Sequence, residues 1–537
     1  MKKMYYNGKI LTMEPENLKD YVAPEAIMTE HGKITHVGTF ETLKKYTDKN
    51  TEMVDLNHKC LMPAFIDAHS HVVTDGRFSL FVNLSEASSF QEIEDMLRAH
   101  MLKHNLGKDD VLMGFGYDNN FLKEKAQPDK RVLDLVSTEI PIMIVHVSAH
   151  LACVNSKALE MAGITKDTPD PEGGLIERME GSREPSGYLE ESGMMIVHEK
   201  VMSKVKSEES DIMEGIAKNY IRYGVTTIQD GATTEHDFNL LKKMAEQNKL
   251  KADIVVYPLM SGGGVALRHD NPEYCNGYKN HFKIGGYKLV LDGSPQGRTA
   301  WLTKPYKHGD FGYCGYPWMQ DDEVEKFIKI AVEEKQQLLT HCNGDAASEQ
   351  LLNAYEKVIK ETGSKEDLRP VMIHCQTVRN DQLDRMAKLN MIASIFVGHV
   401  YYWGDVHLEN LGGERGYHIS PVKDAMDRGI HVNFHQDTPV TVPDMLHTVW
   451  CAVNRLSRNG IVLGADQRID VYEALKAVTM EAAYEYFEED SKGSIEEGKR
   501  ADLVILSDSP VEVDKMDIKN IKVLETIKDG ETIYRRT

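Results

Sequence analysis

The sequence predicts an α/β protein built on a parallel (β/α)8 TIM barrel, with a small β-domain from both chain ends and an inserted lobe between barrel strands one and two. Three observations support this fold class. The 537-residue chain is longer than an ordinary domain of about 100–200 residues but suits a barrel of about 250 residues with additions. Apolar strand-like runs alternate with amphipathic helical stretches. Both chain ends carry the turn residues of β-hairpins.

The two ends of the chain have the pattern of β-hairpins. The run MYYNGKILTM turns at Asn7-Gly8, and AIMTEHGKITHVG turns at His31-Gly32. Near the other end, ADLVIL is strand-like, and VLETIKDGETIY turns at Asp529-Gly530. Because the termini of a domain often lie close together, we expect residues 1–62 and about 490–537 to form one β-domain.

The middle of the chain, residues 63–489, is predicted to form the barrel. Eight strand-like runs with helical stretches between several of them favour a parallel (β/α)8 arrangement. The segment from about 88 to 210 exceeds a normal connection and holds strand-like runs of its own, which indicates an inserted lobe. The predicted barrel strands are 64–69, 224–230, 252–260, 285–291, 337–342, 370–375, 391–396 and 430–435. The predicted helices are 234–250, 321–336, 345–362, 380–389 and 471–487.

Composition excludes several classes of partner. Lys plus Arg is 63 and Asp plus Glu is 84, so the net charge is −21, which repels nucleic acid and anionic membranes. The seven cysteines are odd in number, widely spaced and without a C-x-x-C pair, as is typical of a reduced intracellular protein. The sequence has no signal peptide and no transmembrane run, so we expect a cytoplasmic protein. The expected partner is a small-molecule substrate, with a homodimer as the default assembly.

Unusual polar residues lie at the ends of five predicted barrel strands. Active sites of such barrels lie at the C-terminal ends of the strands. Side chains at i and i+2 of an extended strand share a face, so the two histidines of PAFIDAHSHV are expected to project side by side. Imidazole and carboxylate are the usual ligands of zinc and neighbouring first-row metals. The residues at these strand ends are His69, His71, Lys288, His341, His374 and Asp437.

Each of these residues also has a structural interpretation when taken alone. A single histidine at a strand end is usually a hydrogen-bonded core or rim residue. Lys288 could pair with Asp292, which is four residues further along the chain and therefore two places on along the same strand face. Asp437 could cap a following helix, because DTP is a plausible N-terminal cap with proline in the first turn. The ordered set favours a metal site, because the structural interpretation requires many coincidences.

The motifs resemble those of the amidohydrolase superfamily of metal-dependent hydrolases. The similarity rests on LMPAFIDAHSHV, HCNGDAA, MIHCQTV, HQDTPV and GSIEEGKRADLVIL. The segments KLVLDGSPQGRTAWLTKPY, VSAHLACVNSKAL and EPSGYLEE are similar to the amidohydrolase-3 branch, which includes N-substituted formamide deformylases. The resemblance runs nearly end to end and implies a barrel flanked by a β-sandwich made from both termini.

The resemblance also implies roles for individual residues. His69 and His71 match the metal ligands of strand one, and His341 and His374 match those of strands five and six. Lys288 matches a position that many relatives carboxylate to bridge two metals, so one or two divalent ions, zinc above all, are expected. Asp437 matches the strand-eight aspartate, which ligates metal and takes the proton of an attacking water. HQDTP departs from the Gly-Ser-Asp of many relatives and places bulkier side chains before Asp437.

Four further residues are candidates for substrate binding. His150 in the inserted lobe either hydrogen-bonds the tetrahedral intermediate or braces a loop. Arg298 either grips a carboxylate or forms a structural salt bridge. Tyr117 and Trp403 either line the pocket or pack in the core.

The expected function is therefore metal-dependent hydrolysis of a non-peptide C–N bond, in an amide, formamide or N-acyl group of a small molecule. One alternative is a cyclic-amide hydrolase, deaminase or isomerase on the same scaffold. Another is a non-catalytic binding or regulatory protein, which the complete ligand set argues against.

Overall fold

The computed structural model describes residues 2–14, 21–78, 81–205, 209–307 and 312–537, and it has an α/β fold. In chain order the strands are β1 Lys3–Tyr6, β2 Lys9–Ile10, β3 Ala26–Glu30, β4 Lys33–Gly38, β5 Glu52–Asp55, β6 Cys60–Pro63, β7 Phe65–Ile66, β8 Val82–Asn83, β9 Leu112–Tyr117, β10 Ile142–His146, β11 Leu151–Val154, β12 Gly174–Arg178, β13 Pro185–Glu191, β14 Val225–Thr233, β15 Asp253–Pro258, β16 Phe282–Ile284, β17 Tyr287–Val290, β18 Leu338–Cys342, β19 Val371–His374, β20 Ile392–Ile395, β21 Val432–Phe434, β22 Leu503–Leu506, β23 Val523–Lys528 and β24 Glu531–Arg535.

The α-helices are α1 Phe40–Leu43, α2 Val72–Phe78, α3 Phe90–Lys103, α4 Lys130–Asp134, α5 Ser156–Ala162, α6 Ser192–Met202, α7 Glu209–Gly215, α8 Glu235–Glu246, α9 Gly264–His269, α10 Asp321–Glu333, α11 Asp345–Thr362, α12 Asn380–Lys388, α13 His399–Leu411, α14 Gly413–Tyr417, α15 Val422–Met426, α16 Met445–Asn454, α17 Val471–Ala477 and α18 Met480–Glu485. None of these helices has both the length and the apolarity needed to cross a bilayer.

Two parallel sheets form the centre of the molecule. The first has the order β16-β15-β14-β7, and the second has the order β17-β18-β19-β20-β21. The predicted fourth strand, 285–291, corresponds to β17, which pairs with β18, whereas β16 lies just before the predicted range and pairs with β15. The extended backbone is interrupted between β16 and β17 at Gly285-Gly286. A Cβ on Gly286 would overlap the carbonyl of Gln337. An isolated bridge from Leu259 to Lys288 joins the two sheets at this point.

The opposite side of these sheets differs from the predicted closed barrel. Among the described residues no ladder joins β21 to β7. The backbone N–H of His71 instead donates to the Thr438 carbonyl at 2.8 Å, and that of Ile66 donates to the Val478 carbonyl at 3.0 Å. The strands that would meet here are only two and three residues long, so they offer few groups to pair. In the part of the chain that the structure describes, the two parallel sheets are thus not closed into a barrel by hydrogen-bonded strands.

A six-stranded lobe sheet lies in the chain between β7 and β14. Its order is β12-β13-β11-β10-β9-β8, with parallel pairing from β8 to β10 and antiparallel pairing beyond. Apolar side chains such as Met143, Val145 and Leu189 form its buried core with α5 and α6. The strand β13 ends at Glu191, whose side chain is fully buried.

Two further sheets come from the chain ends. One has the order β4-β3-β1-β5, and the other, the terminal sheet, has the order β2-β6-β22-β23-β24. In the terminal sheet Leu61 of β6 lies opposite Ile505 of β22 in an antiparallel pair. One apolar cluster combines Tyr5 and Ile27 of the first sheet with Leu61 and others of the terminal sheet. The two sheets therefore share a core.

Candidate metal centre

The structure brings all six predicted metal-site side chains together. One donor atom each of His69, His374 and Asp437 lies within 4.8 Å of the others. The Nε2 atoms of His69 and His71 both lie 3.4 Å from Asp437 Oδ1. His341 Nδ1 is 3.0 Å from His374 Nε2, and Lys288 Nζ is 3.2 Å from His69 Nε2. Six residues spread over 369 positions of the chain thus meet at one point, counting from His69 to Asp437.

Strand register and backbone conformation set this meeting. His341 lies opposite Ile373, and Cys342 lies opposite His374, so the two histidines lie on neighbouring parallel strands one step apart. The strand before the first pair ends earlier than predicted, at Ile66, so His69 and His71 lie in the segment that follows it. His374 and Asp437 have φ of 78° and 53°, conformations that non-glycine residues rarely adopt. Such conformations cluster at functional sites, where surrounding contacts enforce them.

The first two histidines are oriented by oxygen atoms of β14. His69 Nδ1 lies 2.6 Å from Gln229 Oε1, and His71 Nδ1 lies 2.6 Å from the Gly231 carbonyl. Because both partners are acceptors, each Nδ1 carries the hydrogen, and each Nε2 keeps a lone pair facing Asp437. A Cβ at Gly231 would come within 2.5 Å of His69 Cε1, so this position needs glycine. This arrangement is the outer support that metal-binding histidines require.

The second pair of histidines faces the same centre. His341 Nε2 lies 3.0 Å from Asn343 Nδ2. The other ring nitrogen of His341, Nδ1, faces His374 Nε2. His374 Nδ1 is buried without a hydrogen-bond partner among the described residues. Two imidazole nitrogens 3.0 Å apart can share one hydrogen or face one cation, and both arrangements fit this geometry.

Burial sets the charge state of the cluster. Desolvation lowers the pKa of His69, His341 and His374 well below the usual value, which favours the neutral, metal-binding form of imidazole. Burial also lowers the pKa of Lys288 to about 8. Burial raises the pKa of Asp437, but the close contact with His71 and the other neighbouring histidines outweighs it, so the pKa lies well below the usual value. The result is an anionic oxygen beside the neutral imidazoles of His69, His341 and His374.

The structural alternatives for Lys288 and Asp437 do not fit the described contacts. Asp292 accepts the backbone N–H groups of Trp301, Asn343 and Gly344 at 3.0, 2.9 and 2.7 Å, rather than the ammonium of Lys288. Asp437 caps no helix, because the next helix, α16, is capped by Asp444, which accepts the N–H of His447 at 3.1 Å. Both side chains therefore remain within the cluster.

Two of the four predicted substrate-binding residues are buried and make no direct contact with the six cluster residues among the described contacts. Tyr117 is fully buried in the lobe and donates its hydroxyl hydrogen to Gln127 Oε1 at 3.0 Å. Trp403 is buried and donates its Nε1 hydrogen to Asp118 Oδ2 at 2.9 Å. No described contact joins Tyr117 to the cluster, whereas Trp403 packs on Phe396, whose ring lies against His435. Trp403 thus helps to build an apolar wall beside the cluster, with Phe396, Val406 and Val440.

The other two residues lie closer to solvent. His150 packs edge-on against His341, with ring centroids 5.2 Å apart, and its Nδ1 is 2.8 Å from Glu191 Oε2. Burial lowers the pKa of His150, but Glu191 raises it by more, so the pKa lies above the usual value. Arg298 has an exposed side chain and a φ of 63°.

Sequence reasoning missed His435, Gln229 and Glu191. His435 is fully buried, its ring lies 5.2 Å from His69 and 5.1 Å from His374, and neither of its nitrogens has a hydrogen-bond partner among the described residues. The backbone of Ser394 lies beside the ring but outside hydrogen-bond geometry. The signal for His435 was the departure of HQDTP from the family pattern. The signal for Gln229 was a long polar side chain in an apolar strand.

Comparison with known proteins gives consistent results. The model of the amidohydrolase family called Amidohydro_3 matches residues 52–534. The YtcJ amidohydrolase of Bacillus subtilis is 28% identical over all of both chains. The N-substituted formamide deformylase of Arthrobacter pascens is 25% identical, covering 99% of this chain and 98% of its own. The crystal structure of an uncharacterised metal-dependent hydrolase from Pyrococcus horikoshii OT3 superposes with a TM-score of 0.76 at 25% identity, covering 96% of this chain and 99% of the other. The family match spans most of the sequence, and the chain therefore belongs to the amidohydrolase family.

Proposed function

We propose that the protein is a metal-dependent hydrolase that cleaves a non-peptide C–N bond, in an amide, formamide or N-acyl group of a small molecule. The observation that carries the proposal is the surroundings of Asp437 Oδ1. This oxygen is buried without a hydrogen-bond donor in the described residues, and the Nε2 atoms of two histidines lie 3.4 Å from it. Buried lone pairs that face one another without a hydrogen between them need a cation.

The side chains present fit a divalent metal. His69, His71, His341, His374 and Asp437 supply neutral imidazole nitrogens and a carboxylate, the donor set of zinc and its neighbours. Lys288 would join them after its neutral amine reacts with CO2. Its pKa of about 8 favours this step, because a larger fraction of its amine is neutral than in an ordinary lysine. One ion, or two bridged by the carboxylated lysine, are both part of the proposal.

The metal, when bound, would polarise the substrate carbonyl and make water acidic enough to attack at neutral pH. Asp437 Oδ1 would accept the proton of the attacking water and pass it to the leaving nitrogen. His150 would contact the substrate from the lobe side. The apolar wall of Phe396, Trp403, Val406 and Val440 would receive an apolar part of the substrate and exclude water.

The proposal includes the architecture and setting expected from the sequence. The two parallel sheets would be the halves of one (β/α)8 barrel at 63–489, which the short step from β16 to β17 and the Leu259–Lys288 bridge support. A β-sandwich of 1–62 with 490–537 would flank it, and the lobe would span about 88–210. We further propose that the enzyme is cytoplasmic and binds neither nucleic acid nor membrane. A homodimer is its proposed assembly.

The test is a screen of N-acyl, N-formyl and cyclic amides with the protein loaded with zinc or manganese. We expect hydrolysis of at least one N-acyl or N-formyl compound, with loss of turnover on removal of metal and its return on re-addition. The Asp437→Asn variant should lose at least ~100-fold in kcat while keeping much of its metal. Metal analysis below one equivalent per chain, with no rescue by added ions, would instead favour the non-catalytic alternative.

A further inference from the structure

Glu191 is a buried carboxylate that the lobe delivers to the edge of the metal cluster. It is the last residue of β13, it is fully buried, and its backbone has φ 48° and ψ −119°, which side-chain-bearing residues seldom adopt. Its N–H donates to the His150 carbonyl at 3.0 Å, so the two residues are joined through main chain and side chain alike.

The two oxygens of Glu191 have different surroundings. Oε2 accepts hydrogens from His150 Nδ1 at 2.8 Å and from Trp318 Nε1 at 3.0 Å. Oε1 is buried and has no hydrogen-bond partner among the described residues. It lies against Gly293, where any Cβ would overlap it, and the carbonyl of Gly293 is itself 3.3 Å from His341 Nε2. The carboxylate therefore reaches the wall of the metal cluster.

This contact sets the orientation of His150. Because Nδ1 donates to the carboxylate, the imidazole is held in the Nδ1–H form, and Nε2 lies on the opposite side of the ring. No described residue hydrogen-bonds that nitrogen, and 17% of the side chain is exposed. The ring also packs edge-on against His341, one of the cluster histidines.

The neighbouring residue provides a comparison within the same strand. Glu190 is half-buried, and both of its oxygens accept hydrogen bonds, from the hydroxyls of Tyr188 at 2.9 Å and Tyr316 at 3.0 Å. Glu190 thus has the contacts of a structural carboxylate. Glu191 instead contacts His150, whose Nε2 has no hydrogen-bond partner among the described residues and whose ring packs against His341 of the cluster.

We propose that Glu191 is a positioning residue, which fixes the ring of His150 so that Nε2 is presented to the substrate. The proposal rests on the proposed function for the identity of that substrate. Glu191 and His150 would work like a catalytic carboxylate–histidine pair. In such a pair, loss of the carboxylate leaves the ring in place but with its hydrogen on the wrong nitrogen.

The experiment combines a spectroscopic and a kinetic measurement on the full-length, metal-loaded protein. Histidine ring ¹⁵N shifts, with His150 assigned from the His150→Gln variant, report which nitrogen carries hydrogen. We expect Glu191→Gln to move the His150 pair of shifts, to leave metal content unchanged, and to lower kcat by roughly 10- to 1,000-fold with a smaller change in KM. Glu190→Gln is the matched control and should move neither the shifts nor kcat.

A double-variant cycle separates positioning from general structure. If Glu191 acts through His150, the variant with both Glu191→Gln and His150→Gln should be no slower than His150→Gln alone. Additive losses, or unchanged His150 shifts in Glu191→Gln, would overturn the proposal. Should Glu191→Gln fail to fold, Glu191→Asp takes its place, because it keeps the charge but withdraws it from Nδ1. The shifts test the positioning role even if no amide is hydrolysed, so failure of the proposed function is distinguishable.

Discussion

At the scale of single residues, the oxygens behind the histidines matter as much as the histidines themselves. Gln229 illustrates this, because its Oε1 fixes His69 while its Nε2 contacts the Ala68 carbonyl at 2.5 Å and the Tyr486 hydroxyl at 3.0 Å. These acceptors determine which way the amide faces, and the amide in turn determines which nitrogen of His69 carries hydrogen.

We therefore predict that Gln229→Leu weakens metal binding by roughly 10- to 100-fold. The leucine is of similar size but accepts no hydrogen bond, so His69 loses its fixed orientation. Competition with a fluorescent chelator measures the affinity. Gln467→Leu is the control, because Gln467 is equally buried but contacts Asp424 and Asp466, and an equal loss in both variants would contradict the prediction.

For His435 we predict that a substitution makes the metal-free protein more stable. Its two buried ring nitrogens lack partners among the described residues, and burial lowers its pKa to about 3. In His435→Phe the ring stays and the unpaired polar atoms go, so the metal-free protein should gain on the order of 1 kcal/mol. Thermal unfolding of the metal-free variant measures this, and a lower midpoint than that of the wild type would show that the nitrogens are already satisfied.

At the scale of elements, the sequence predicts the strands of the two parallel sheets and several of the helices between them, but not how these elements bend. The predicted helix 345–362 coincides with α11, because its amphipathic period is local information. The predicted helix 471–487 is divided into α17 and α18 at Thr479, and this break turns Glu485 towards Gln229 and Asn433. Periodicity could not reveal this break, since the apolar pattern continues through it and the partners lie more than fifty residues away.

The same reasoning limits what could be predicted of the site. The six strand-end residues have chemistry that is conspicuous in an apolar sequence, so their meeting could be expected from the fold class alone. Glu191 and His435 could not be placed, because their roles depend on the packing of the lobe and on which side of a strand end faces inward. Closure of the barrel stays a prediction for a related reason, since the extent of pairing at β7 and β21 depends on how early each strand ends.

Glu485 on α18 should make the stability of the folded protein depend on pH. Burial raises its pKa to about 8, although the amides of Gln229 and Asn433 oppose the rise. The folded protein then holds this proton between about pH 4.5 and 8, where the unfolded chain has lost it. Stability from this group is complete below that window and is lost as the pH rises through 8, at about 1.4 kcal/mol per unit of pKa difference.

Unfolding midpoints from pH 5 to 8.5 should therefore fall less steeply for Glu485→Gln than for the wild type. The buried carboxyls of Asp67 and Asp292, whose pKa values are raised to about 7, titrate in both proteins, so the difference between the profiles reports Glu485 and its interaction with Asp67. Parallel profiles would mean that Glu485 is ionised in the folded state.

At the scale of the whole molecule, one buried carboxylate joins the terminal sheet to the first parallel sheet. Asp253, the first residue of β15, is fully buried, and its Oδ2 lies 2.8 Å from the ammonium groups of both Lys492 and Lys528 and 3.3 Å from Arg500 Nη1. Lys528 ends β23 of the terminal sheet, so the contact crosses from one sheet to the other. Burial raises the pKa of Asp253, but the two lysines outweigh it and hold the pKa well below the usual value.

Because that pKa is depressed, the stabilisation is present above about pH 4 and is lost as the pH falls towards the folded value. Asp253→Asn keeps the shape but leaves the Lys492 and Lys528 ammonium groups buried without their shared anion, so it should cost about 3–5 kcal/mol at pH 7. Urea unfolding followed separately by a probe in the terminal sheet and one near the metal cluster measures the loss, and we expect the terminal-sheet probe to unfold first. Asp367→Asn, which removes an exposed partner of Arg369, should cost at most about 1 kcal/mol. Equal effects of the two variants would mean that the Asp253 carboxylate does not hold the sheets together.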